Sequence, residues 1–153
     1  MKINLVSFDR NFLNLSWEWM KDKDLVSQIN GTQVTKLEQE EWFEKLKDRT
    51  DYLIFGIEVD GVPIGAAGLK KIVKNTAHVF WYIGEKEYLG KRIGEFIATG
   101  VSVKAKELNI SDLYAETILS NFRSINLLFK EGYKIIEYNN VDNFYLMKKH
   151  IND

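Results

Sequence analysis

The chain has 153 residues, a formal net charge of -1, 45% hydrophobic and 28% charged residues. This suits one globular domain over residues 1–153 and excludes the basic excess of a nucleic-acid binder. There is no cysteine, so disulfides, thiolate catalysis and cysteine-ligated metals are excluded.

Residues 2–7 alternate as a strand does. No apolar run approaches the roughly 18 residues of a membrane span. The N-terminus lacks a signal-peptide core, so a cytoplasmic protein without a membrane partner is expected. His78 and His150 have no ligand-like spacing, and no metal site is expected. Residues 11 to 29 have helical spacing, broken around Asp22 to Asp24. Trp17 and Trp19 flank Glu18 there and cannot share one helical face, so at least one is a candidate pocket residue.

Thr35-Lys36-Leu37-Glu38 is a capping box. It opens a helix with Leu37, Trp42, Phe43 and Leu46 on its expected buried side. Residues 52–59 form a strand, Asp60-Gly61 a tight turn with positive φ, and residues 62–73 the partner strand. A turn at Asn75 leads to a third strand at 77–83, which completes an antiparallel meander. Residues 84–91 are polar and glycine-bearing. A helix follows over 92–108, with Ile93, Phe96, Ile97, Val101, Ala105 and Leu108 at helical spacing.

Residues 113–119 form the next strand. Asn121 caps a helix carrying Phe122, Ile125, Leu128 and Phe129, and Gly132 ends it. Residues 133–138 and 144–149 close as a hairpin around Asn139-Asn140. The expected fold is α+β, a mixed, mostly antiparallel central sheet with flanking helices. The strand-helix-strand crossover over 77–119 requires its two strands to run parallel.

The chemistry concentrates between Gly84 and Gly94. A phosphate needs free amides and little bulk around them, which glycines at a helix start supply. Leu89-Gly90-Lys91-Arg92-Ile93-Gly94 offers both, with two cations. It is not a Walker loop, which requires G-x-x-x-x-G-K-[ST]. The meander before it argues against a Rossmann unit.

The run from Trp81 to Gly94 resembles motif A of the GNAT superfamily of N-acetyltransferases, most like its ribosomal-protein N-terminal acetyltransferase branch. Asn121, Ser124 and the Gly132-Tyr133 pair resemble the superfamily's second signature. The element order also matches over essentially the whole chain. Two positions depart. Leu89 stands where Arg or Gln is usual, and Arg92 where a glycine is usual. Backbone donors do not depend on side chain, so the loop's amides remain available. Arg92 needs negative φ or carries strain, and its guanidinium can reach a phosphate directly.

The resemblance implies direct acetyl transfer from acetyl-CoA, the co-substrate, to an amine. It places Tyr82, Ile83, the loop Leu89 to Gly94, Asn121, Ser124 and Phe129 at the cofactor, with an amide near Ile83 as oxyanion donor. The tyrosine that usually protonates the departing thiolate is replaced by Leu128, leaving Ser124 as substitute. Glu116 leads as general base, and His78 follows it. The first helices and the loop after them, residues 17–35, would shape the acceptor site, with Trp17, Glu18 and Tyr82 touching the acceptor. Ser16-Trp17-Glu18-Trp19 is similar to helices in members that acetylate amino-sugar nucleotides. That acceptor is favoured over a protein N-terminus, with polyamines and aminoglycosides next. The alternatives are a non-catalytic CoA-binding module and a GNAT-like fold that binds no CoA. A monomer or homodimer is expected.

Overall fold

The computed structural model describes residues 1–28 and 34–151. Ile29, the expected end of the second helical piece, and residues 29–33 of the expected acceptor loop lie outside the described residues.

Seven strands form one mixed sheet in an α+β fold. β1 (Ile3–Ser7), β2 (Leu53–Val59), β3 (Val62–Val73) and β4 (Thr76–Ile83) follow one another across it, each antiparallel to the last. The order then continues β5 (Asp112–Ile118), β7 (Phe144–His150), β6 (Lys134–Asn139). Turn chemistry sets the meander. Asp60 and Gly61 take φ 50° and 80°, as a two-residue hairpin loop requires.

The helices are α1 (Arg10–Trp19), α2 (Lys23–Gln28), α3 (Lys36–Lys45), α4 (Ile93–Glu107) and α5 (Phe122–Lys130). Local caps place their ends. Asp9 accepts the Phe12 amide at 3.1 Å at the start of α1. The capping box at Thr35 is complete, with both Thr35–Glu38 hydrogen bonds made. At the end of α5, Gly132 takes φ 95° while the Tyr133 amide donates to Leu128 and the Gly132 amide to Phe129, a Schellman motif.

The main core lies between the sheet and α4. Ile93, Ile97, Val101 and Ala105 recur every four residues and meet Ile57, Leu69, Val79 and Leu113. Phe96 lies well off that stripe and is exposed, and Leu108 is exposed because the helix has ended there. The expected buried side of α3 is also corrected. Leu37 is 69% exposed and none of the helix is buried. Trp42 and Phe43 are half-buried against Phe8, with ring centroids 5.8 and 6.4 Å from it. No helix among the described residues is long and apolar enough to cross a membrane.

The parallel pair is β4 with β5, as the crossover requires. It is short. Thr76, Ala77 and His78 pair with Asp112, Leu113 and Tyr114, and no pairing follows beyond them. The sheet therefore splits along the rest of both strands.

Candidate active site

The split leaves one edge of β4 without a partner strand. The Gly84 amide donates to the Ile64 carbonyl at 2.7 Å, on the β3 side. Antiparallel strands alternate the direction of their backbone groups, so Phe80 and Tyr82 also turn theirs to β3. Val79, Trp81 and Ile83 then turn theirs into the gap. The contact with β3 is close. A Cβ on Gly65 would stand 2.1 Å from the Tyr82 carbonyl oxygen.

The gap opens into a cleft of about 740 Å³ between β4, the loop after it and the start of α5. Leu89, Gly90, Arg92, Ile93 and Gly94 line its floor. Gly90 has φ 79°. Arg92, the residue before α4, sits at φ 62° and ψ 18°, so it takes the strained alternative. The free amides at the start of α4 and the positive end of its dipole face this cleft region. Arg123 and Lys130 add cationic side chains to its wall. Lys130 is bonded to Glu95, and this bond, first among the causes, holds the Glu95 carboxyl below its usual range. Gly94 lets α5 approach, since a Cβ there would lie 2.7 Å from Leu127 Cδ2. Asp22, Asp24 and Lys86 line another part of the same cleft, with Asp22 and Lys86 paired at 2.9 Å. The hydrogen bond from Lys86 lowers the Asp22 pKa.

A smaller cavity of about 120 Å³ occupies the split itself. Gln28, Trp81, Asn121 and Ser124 line both cavities, so they form the passage between them. Asn121 Oδ1 accepts the Ser124 amide at 3.2 Å, and its Nδ2 donates to the Gln28 carbonyl at 3.4 Å. Leu128, 1% exposed, lines the small cavity as part of the core.

Glu116 lines the small cavity from β5. Its Oε1 lies 3.5 Å from Lys71 Nζ and 3.8 Å from His78 Nδ1. Lys71 sits at φ 51° within an irregularity between Lys70 and Val73. Such bulges redirect side chains, here across β4 towards β5. His78 stacks on Tyr114 at 5.3 Å, and its buried Nδ1 has no hydrogen-bond partner among the described residues. Burial lowers the His78 pKa, Lys71 adds to this, and Glu116 opposes it. Thr117, the next residue on β5, is 4% exposed, lines the same cavity, and its Oγ1 has no hydrogen-bond partner among the described residues.

The structure therefore brings together Tyr82, Ile83, Leu89, Gly90, Arg92, Ile93, Gly94, Asn121 and Ser124, with Glu116 in the adjoining cavity. It does not bring in five other expected residues, of which His78 stands beside Glu116 without lining either cavity. Lys91 stands over the Tyr88 ring at 5.3 Å and outside the lining. Phe129 is 48% exposed, five residues from Ser124 and so on another face of α5. Trp17 lies under Lys36, and Glu18 pairs in solvent with Lys21 at 3.0 Å. Neither lines either of these two cavities. Of the two tryptophans of α1, the one that packs beside the cleft is Trp19. Its Nε1 donates to Glu85 at 3.0 Å, and its ring packs under Gly84 and edge-on to Tyr82.

Arg123, Lys130 and Thr117 were not anticipated. The first two are seven residues apart, hence on one helical face, and that spacing was a usable signal. Nothing local distinguishes Thr117 from any strand threonine. Among the described residues no group of three or more His, Asp or Glu is arranged to hold a metal.

Residues 4–134 match the family model described as an acetyltransferase (GNAT) domain. A search of curated protein sequences returns no match. Among solved structures, the chain is similar to spermidine N-acetyltransferase from Vibrio cholerae in complex with CoA and spermine. That likeness has TM-score 0.86 and 16% identity, over 97% of this chain and 95% of that one. It is also similar to the Campylobacter jejuni N-acetyltransferase PseH in complex with acetyl coenzyme A, with TM-score 0.78 and 19% identity, over 99% and 100%. The ribosomal-protein-S18-alanine N-acetyltransferase of Escherichia coli matches with TM-score 0.71 and 13% identity, over 99% and 96%. At such identities the likeness shows the fold. The ribosomal-protein enzyme is one neighbour among several, so placement stops at the family.

Proposed function

Because this chain belongs to the GNAT acetyltransferase family, we propose that it holds acetyl-CoA in the split of its sheet and transfers the acetyl group directly to a primary amine. The observation that carries this reading is the break in β4–β5 pairing after His78 and Tyr114. It leaves gap-facing backbone groups at Trp81 and Ile83 beside a helix N-terminus that suits a pyrophosphate. The donor set fits the ligand: amides for the phosphates, Arg92 and Arg123 for their charge, and an extended strand edge for an amide-bearing arm.

Acetyl-CoA supplies an acyl group on a good leaving thiol. The protein's part is to hold, polarise and move protons. In this reading the Ile83 amide donates to the thioester oxygen as it gains charge. Asn121 and Ser124 orient the arm where the two cavities meet. Glu116 takes the proton that the attacking amine loses, directly or through water, and His78 stands beside it.

For the acceptor, the amino-sugar nucleotide reading drew on Trp17 and Glu18, which lie outside both cavities. Asp24 on the cleft wall offers a carboxylate to a cationic amine. The test is a panel of a UDP-amino sugar, an N-terminal peptide, spermidine and an aminoglycoside, with thiol release as readout. Turnover is expected with at least one, reduced roughly a hundredfold in kcat by Glu116→Gln. Acetyl-CoA binding without turnover on any amine would favour the CoA-binding module. No binding at all would leave the fold alone.

A further inference from the structure

The acetyltransferase reading leaves the departing sulfur without a donor, because Leu128 occupies the position where relatives place a tyrosine. A second gap in the bonding lies beside it. Thr117 Oγ1 is buried without a hydrogen-bond partner among the described residues. A hydroxyl shut away unpaired is unfavourable, and native structures keep such groups rarely and mostly for a reason. Thr117 is 4% exposed and lines the small cavity together with Ser124, Val79, Trp81 and Leu128.

Strand geometry sets what this hydroxyl faces. Successive residues of β5 point to opposite faces of the sheet. Thr117 therefore projects to the face shared with Leu113 and Ala115, which meets the core under α4. Glu116 projects to the other face, with His78 and Lys71. A thioester at this point of the split has a base on one side and a hydroxyl on the other. An amine approaching from the Glu116 face expels sulfur towards the Thr117 face.

We propose that the Thr117 hydroxyl donates a hydrogen bond to the departing sulfur and takes the place of the missing tyrosine. The inference rests on the acetyltransferase reading. The step balances without a new reagent. The amine's lone pair forms the C–N bond, the C–S bond breaks with its electron pair on sulfur, and the amine's proton passes to Glu116. Thr117 keeps its own proton, because its hydroxyl is far less acidic than a thiol. It stabilises the thiolate until a proton reaches it through solvent. A hydrogen bond to a charged partner is stronger than one to a neutral partner, so the donor acts most as the C–S bond breaks.

The test compares Thr117→Val, Thr117→Ser and Ser124→Ala with the parent enzyme on the best amine of the panel. Valine has nearly the shape of threonine and no hydroxyl. Thr117→Val should lose kcat by about tenfold or more, keep KM for acetyl-CoA within about twofold, and melt no lower than the parent. Thr117→Ser should retain most of the rate. Unchanged kcat in Thr117→Val would overturn the proposal and leave the hydroxyl a site for buried water. So would an equal loss in Thr117→Ser, which would mean shape rather than hydrogen bonding, or a loss confined to Ser124→Ala. A parent enzyme that turns over no amine would remove this inference and the proposed function together. A parent that turns over alongside an undiminished valine variant would remove only this inference.

Discussion

Arg92 is where backbone and chemistry compete. Its φ of 62° lies in the region that glycine prefers, and no side-chain cap offsets it. A non-glycine residue held there costs on the order of 1 kcal/mol. The position lines the cleft floor before α4, so the cost falls where a phosphate charge would be met. Arg92→Gly should raise the melting temperature of the ligand-free protein by roughly 2–4 °C. It should also weaken acetyl-CoA binding, measured by titration of the same sample. A variant that gains stability and binds as well would make the side chain dispensable. The sequence posed this choice between negative φ and strain, but not its outcome. Arginine has no marked turn preference, and the loop's closure against α4 decides it.

His78 gives a pH signature. Burial, with Lys71 second, lowers its pKa from the ordinary 6.5. Between the two values the unfolded chain binds more protons than the folded one. The contribution to stability is therefore fully present above about pH 6.5 and is lost as the pH falls towards the folded value. Urea unfolding of His78→Gln should show a flatter acid limb than the parent below about pH 6.5. Parallel curves would mean that His78 is solvated in the fold.

At the scale of elements, α5 has two tasks that one residue joins. Asn121 caps the helix through Oδ1 and reaches Gln28 through Nδ2 while lining both cavities. Substitution separates them. Asn121→Asp keeps the cap and should change stability by no more than about 0.5 kcal/mol, whereas Asn121→Ala should lose about 1 kcal/mol. Both should raise KM for acetyl-CoA, since neither has the amide donor. An aspartate variant with unchanged KM would restrict Asn121 to capping. Turns and caps such as Asp60-Gly61, Thr35, Asn121 and Gly132 were legible because their signals are local. Which side of a helix meets a neighbour was less so. Leu37, Trp17, Glu18 and Phe129 were misplaced because the pattern along a helix does not say which side meets a neighbour: Lys36 of α3 covers Trp17, while Lys21, one turn on, holds Glu18 in solvent.

Across the whole molecule, the three-strand meander, the closing hairpin and the parallel β4–β5 pair followed from hydrophobic spacing, turn signals and the crossover, whereas the places of β1 and β7 in the sheet did not. The length of that pairing did not. It ends after three residue pairs, and the two cavities open where further pairing would lie. That early end creates the cleft, and so the position of the site was only partly readable. The glycine loop marked one end of it. Thr117, at the other, became visible only through its burial without a partner.

The central claim is that acetyl-CoA occupies the split between β4 and β5. Titrating ¹⁵N-labelled protein with acetyl-CoA and following the backbone amides tests it most directly. The largest shifts should fall on Trp81, Ile83, Gly90, Arg92 and Gly94, with Leu5 in β1 and Ile136 in β6 unmoved. Saturable shifts centred elsewhere, or none at these five amides, would contradict it.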